Sequence, residues 1–261
     1  MTIEELKVGS RIMLGNYGVN SDRAQPIWWV KATKNCDFIT ESVLDYLMFD
    51  AKEPRSEDYA CRNYGNPNYS VSNIRQFLNS EDEDWYIPQH ANDNWPNSRR
   101  QDSVASYGDP SGIYRDHHGF LRHFDDYEIE ALASQIELPA FQDVNKYNPD
   151  RFELFKKKGI RPHATSDMIW RMPNCHFDDY SFIDFWTQDQ NGEKVKICDR
   201  TGNASTKSAA MAGGLRPKCK IKGDIEVEPS ANAEGFLIVP FEVKSDNVIT
   251  DEELLAFLGL R

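Results

Sequence analysis

The chain has 261 residues and a formal net charge of −12, with 39% hydrophobic and 12% aromatic residues. The length suits one large domain or one and a half, and the aromatic content excludes a disordered chain. The charge argues against a nucleic-acid binder, which needs a basic stripe to displace phosphate counterions. The one dense basic cluster, Lys156-Lys157-Lys158, reads as a solvated turn.

Five cysteines stand at 36, 61, 175, 198 and 219, with long gaps and no CxxC pair. They read as free thiols in a reducing compartment. The neighbours Cys175-His176 lack the further ligands a metal site needs. The N-terminal residues carry no signal-peptide core, and no apolar stretch reaches 18 residues, so membrane insertion is not expected.

In chain order, residues 8–50 read as strands: Val8 to Gly15, then Pro26-Ile27-Trp28-Trp29-Val30-Lys31-Ala32, Phe38-Ile39-Thr40 and Val43 to Leu47. Residues 51–71 are polar and turn-rich. Ser72 is the expected N-cap of a short helix that buries Ile74, Phe77 and Leu78 at i, i+3 and i+4 and ends at a left-handed Asn79. Residues 80–118 form a long acidic loop anchored by Trp85, Tyr86 and Trp95.

Asp125 and Glu128 form a capping box flanked by a Phe124/Ile129 staple. The helix they open is expected to bury Ile129, Leu132, Ala133 and Ile136 and to stop at Pro139. A second short helix is read from Arg151 to Lys158, closed by Gly159. Asp189-Gln190-Asn191-Gly192 signals a hairpin between Phe185-Trp186-Thr187 and Val195 to Cys198. Gly213-Gly214 reads as a turn before Leu215-Arg216-Pro217, with Arg216 as a buried hydrogen-bonding anchor. Composition shifts near residue 223. Residues 223–261 are read as an appendage: a strand, Gly235 to Val243, then an amphipathic helix from Asp251 carrying Leu254, Leu255, Phe257 and Leu258. Those four side chains are the expected oligomer interface.

No Gly-x-Ser-x-Gly elbow, HExxH, Walker A or dinucleotide glycine fingerprint occurs. Acidic runs such as Glu81 to Asp84 and Asp178-Asp179 read as solvated loops in a chain with 42 acids. His117-His118, preceded by Asp116, has the composition of an acid–base element but also of a polar loop. Gln25-Pro26-Ile27 and Asn94-Trp95-Pro96-Asn97 only echo calcium-lectin triplets, and Ile27 supplies no oxygen. The expectation is a protein without catalysis and without a cofactor or metal.

The motifs taken in order resemble those of an uncharacterised family, a domain of unknown function abundant in Gram-positive gut bacteria and their phages and prophages. The resemblance rests on Pro26-Ile27-Trp28-Trp29, Phe49-Asp50-Ala51-Lys52-Glu53-Pro54, Gly65-Asn66 and Ser72 to Asn79. It continues through Trp85-Tyr86, Gln89-His90, Gly119-Phe120-Leu121 and Gly214-Leu215-Arg216-Pro217, and covers roughly residues 3–222. Phe77 replaces the family's Trp. Phe185-Trp186-Thr187-Gln188 stands where the family has Trp-Leu-Arg, and the tail from 223 follows no family pattern.

The resemblance implies an α+β, C-type-lectin-like domain over 1–222 and a phage or prophage setting. It implies a virion structural or receptor-binding protein, made in the cytoplasm and assembled into the particle as a homo-oligomer beside other virion proteins. The expected ligand is a host-surface glycan, held by loops 80–118 and 165–212, with Tyr180, Trp186, Asp189 and Asn191 as contacts. Two alternatives stay open: a purely structural decoration, tail or baseplate protein, and a cell-wall sugar hydrolase with two carboxylates in one cleft.

Overall fold

A computed structural model of the chain describes residues 1–18, 24–52, 56–83, 85, 117–157, 163–165, 168, 183–199, 201–231 and 235–241. Its described part is mixed α+β, with two sheets and a few short helices. The strands are β1 (Arg11–Tyr17), β2 (Gln25–Lys31), β3 (Asp37–Thr40), β4 (Asp45–Met48), β5 (Phe185–Asn191) and β6 (Lys194–Cys198). They continue with β7 (Ala204–Lys207), β8 (Ala212–Leu215), β9 (Lys218–Lys220), β10 (Val227–Pro229) and β11 (Phe236–Ile238). The larger sheet has the order β10-β11-β1-β2-β3-β9, and the smaller β4-β8-β5-β6-β7.

Alternation along β2 explains how the larger sheet carries apolar side chains on both faces. Ile27 and Trp29 enter one core with Leu14, Phe38 and the side chains of helix α2 (Asn73–Leu78). Val30 enters a second core with Ile39, Phe155 and Phe185. Lys31 is buried and donates from Nζ to the carbonyls of Ile3, Glu4 and Leu6 at 2.8–3.1 Å, which pins the N-terminal turn to the sheet.

The short-range readings hold. Ser72 caps α2 through the Arg75 amide, and Ile74, Phe77 and Leu78 are buried. Glu128 accepts from the Asp125 amide at 2.8 Å, the returning half of the expected capping box, at the start of helix α3 (Asp126–Ala131). Its other oxygen accepts from Gly15 at 3.1 Å, at a bulge in β1 where Gly15 has a φ of +76°. The β5–β6 hairpin forms, turning at Gly192 and Glu193.

Other expectations are corrected by tertiary contacts. Helix α3 stops at Ala131, well before Pro139, because the chain that follows joins the edge of β9. Ala133 donates to Lys220, and Glu137 and Lys218 exchange two backbone bonds. Ala133 is therefore exposed, not buried. Asn79 ends α2 at φ −122°, not in the left-handed region; its side chain instead bonds Arg75 and both backbone groups of Ile136. The turn-rich stretch before Ser72 contains a helix, α1 (Tyr59–Tyr64), capped by Asp58. The second short helix is Glu153–Lys157; Gly159 lies outside the described residues.

Gly213 and Gly214 lie inside β8, not in a turn. A Cβ on Gly213 would sit 2.6 Å from Trp186 Cε2, and one on Gly214 would sit 2.5 Å from the Asp184 carbonyl oxygen. Glycine is needed there for close approach. The break expected at residue 223 is also absent: β10 and β11 extend the larger sheet, and β11 pairs parallel with β1 through Ile12 and Met13. The helix expected over 251–261 lies outside the described residues, with Leu254, Leu255, Phe257 and Leu258. Among the described residues no helix is long and apolar enough to cross a membrane.

Candidate ligand pocket

The segment after β3 is held at both ends by the Gly-x-Arg-Pro motif. Thr40 donates to the Pro217 carbonyl at 3.0 Å, Arg216 Nε donates to the Thr40 carbonyl at 3.1 Å, and Leu44 donates to the Leu215 carbonyl at 2.9 Å. Residues 163–165 run alongside, with Val43 donating to His163 and Thr165 to Val43. Arg216 is itself buried, its guanidinium between the Phe155 and Phe185 rings at 5.2 and 5.1 Å. Burial pulls its pKa down to about 10. The expected anchor role is what the geometry gives.

The stretch so fixed forms one wall of a pocket of about 190 Å³. Glu41, Ser42 and Leu44 come from it, Gln25 and Trp28 from β2, and Thr165 from the neighbouring segment. Arg11 on β1 lies over the Trp28 ring at 4.6 Å and bonds Glu41 Oε2 at 2.7 Å. An ion pair thus lies beside a half-exposed indole. The backbone at Gly235 closes on another part of the ring, where a Cβ would lie 2.5 Å from Trp28 Cζ3. The ring is held before any ligand arrives. The pocket offers one aromatic surface, a carboxylate, an amide and hydroxyl groups.

A second polar cluster starts one residue beyond Leu44. Buried Asp45 accepts from the Tyr17 hydroxyl and the Tyr46 amide, and its carboxylate lies 3.2 Å from His117 Nε2. His117 packs edge-on against Phe77, and its carbonyl accepts from Trp85 Nε1. His117 therefore works with Asp45, far away in sequence; Asp116 lies outside the described residues. The side chains of His117 and Asp45 are only 8% and 3% exposed, so the pair is built as an internal strut. His118 contacts the Glu83 carbonyl at 3.2 Å. Among the described residues no three His, Cys, Asp or Glu side chains gather as a metal cage.

Of the sequence-predicted contacts, the described ones, Trp186, Asp189 and Asn191, do not line this pocket. Trp186 is fully buried, donates from Nε1 to the Leu47 carbonyl at 2.8 Å and packs edge-on against Phe49. It is a core residue and presents no face to a ligand. Asp189 accepts from the Phe141 amide at the start of helix α4 (Phe141–Val144), so its carboxylate has a structural use. Asn191 is exposed at the hairpin tip. Tyr180, Trp95, the Cys175-His176 pair and most of loop 80–118 lie outside the described residues. Trp28 and Glu41 were missed as site residues. The available signal was the adjacent pair Trp28-Trp29: in a strand the two must face opposite sides, so Trp28 could not join the core that Ile27 and Trp29 share.

Comparison with family models, with curated proteins and with solved structures finds no match.

Proposed function

We propose that the protein is a non-catalytic recognition module that holds one sugar unit of a surface glycan in the Trp28–Glu41 pocket. The observation that carries this reading is the pre-held indole of Trp28, walled by Glu41, Gln25 and Ser42 in a space of about 190 Å³. That volume lies below the usual range for drug-sized ligands, roughly 300–1,000 Å³, and suits a single ring. An indole covers the apolar face of a sugar while neighbouring polar groups bond its hydroxyls.

The proposed setting is a phage particle, and the proposed architecture is C-type-lectin-like. Both rest on the motif order from Pro-Ile-x-Trp to Gly-x-Arg-Pro. The placement of the latter motif beneath the pocket wall is compatible with that order.

Screening the full chain on a glycan array and confirming hits by ligand-observed NMR tests the reading. Trp28→Ala is expected to weaken binding by about tenfold or more, since a stacked ring contributes over 1 kcal/mol. The ring also packs on Arg11 and Gly235, so the melting temperature should fall, and binding is read well below the variant's transition. Retained affinity in Trp28→Ala sinks the pocket assignment. Silence across the array leaves the purely structural virion role.

A further inference from the structure

We infer that the pocket selects an uncharged, hydroxyl-rich sugar over an acidic one, and that the Arg11–Glu41 pair sets this selectivity. This rests on the sugar reading above and adds the class of sugar.

An acidic sugar needs a cation free to meet its carboxylate. Among the described residues, Arg11 is the cation that contacts a lining side chain, and it is paired with Glu41. Its Nη2 bonds Glu41 Oε2 at 2.7 Å, its Cζ lies 4.6 Å from the centre of the Trp28 ring, and its Nε is enclosed without a hydrogen-bond partner. Glu41, not Arg11, forms the wall. The two side chains are 29% and 43% exposed, so the carboxylate is the more accessible charge.

A ligand carboxylate would have to compete with Glu41 for Arg11 and would lie beside the more exposed carboxylate of the pair, which disfavours a second anion there. The net charge of −12 adds a longer-range repulsion to any anionic approach.

The other polar groups point the same way. Thr165 Oγ1 is committed to the Leu44 carbonyl and the Met168 amide, both at 3.3 Å. Glu41 then remains as the acceptor-only lining group, while Ser42 and Gln25 can both donate and accept without charge. A carboxylate accepts only, so a ligand facing Glu41 has to donate. Sugar hydroxyls and N-acetyl amides donate without charge, while a uronic or sialic carboxylate does not.

The test uses two matched probe sets on the full chain. One is terminated by glucose, galactose or N-acetylglucosamine, the other by glucuronic or sialic acid. Binding is read by array and by saturation-transfer NMR at low and moderate salt, for the wild type and Glu41→Gln.

The wild type is expected to favour the neutral set by about tenfold or more, with the gap narrowing as salt screens the acidic probes. Glu41→Gln removes the charge and releases Arg11 from its ion pair, so the ratio of acidic to neutral binding should rise whatever the change in neutral affinity. Acidic probes bound as well as neutral ones by the wild type overturn the inference and leave the sugar reading standing. Unchanged discrimination in Glu41→Gln removes Glu41 as its source. Silence of both sets overturns the sugar reading itself.

Discussion

Trp28 and Trp186 differ in what covers them. Trp186 lies flat on the backbone of β8, with its N–H on Leu47. Trp28 has Arg11 above it and a pocket beside it. The glycine beneath Trp186 gives the sharper prediction. Gly213→Ala would place a methyl 2.6 Å from Cε2 of a ring that is tied down by its own hydrogen bond. Overpacking of this kind costs about 1–3 kcal/mol. The urea midpoint should fall accordingly, and an unchanged midpoint would mean the indole can shift. Sequence showed that two glycines and a tryptophan were special. It could not show that they touch, because 26 residues separate Trp186 from Gly213 in the chain and their contact is made between adjacent strands.

Elements stabilised by their own neighbours were legible; elements finished by distant ones were not. Ser72, Asp125 and Glu128 act within one helical turn, so spacing alone revealed them. The early end of α3 and the fusion of residues 227–238 with β1 depend on strands brought from far along the chain. The capping box shows both behaviours. Glu128 serves the local Asp125 amide and the distant Gly15 amide, whereas Asp125 acts only at its own helix. Glu128→Ala, which leaves a buried donor unmet, should cost about 1–3 kcal/mol. Asp125→Ala should cost about 1 kcal/mol or less. Equal losses in chemical denaturation would show that the Gly15 link contributes nothing. The sheet fusion carries its own expectation. Truncation after residue 222 uncovers the β1 edge and removes Val227 and Ile238 from the core, so cooperative unfolding should be lost relative to the full chain. A truncated chain with a sharp native-like transition would restore the boundary read from composition.

At the scale of the whole molecule, the candidate site is assembled from β1, β2, the 41–44 segment and residues 164–165, and is framed from beneath by 215–217. Each piece was visible in the sequence, while their convergence was not, since no short spacing joins Arg11 to Glu41 or Thr40 to Arg216. The same long-range packing sets how the protein responds to acid. His123 packs against Tyr17 and Phe120, and burial pushes its pKa from 6.5 down to about 4, with the Asn16 backbone bond opposing and the nearby His117, His118 and Arg122 adding to the fall. The folded state therefore refuses a proton that the unfolded chain accepts. The contribution is fully present above pH 6.5 and is lost as pH falls toward 4, at about 1.4 kcal/mol per pH unit and about 3 kcal/mol over the window. Glu128 acts in the opposite sense: burial raises its pKa, so protonation near the bottom of the window favours the fold and flattens the loss there. His123→Gln removes the titrating group and keeps a polar side chain of similar reach. Its denaturation midpoint should fall less than the parent's between pH 7 and 4.5, so the two curves converge on acidification. Parallel curves would show that His123 takes its proton in the folded state, and that the packing around Tyr17 yields to a charge.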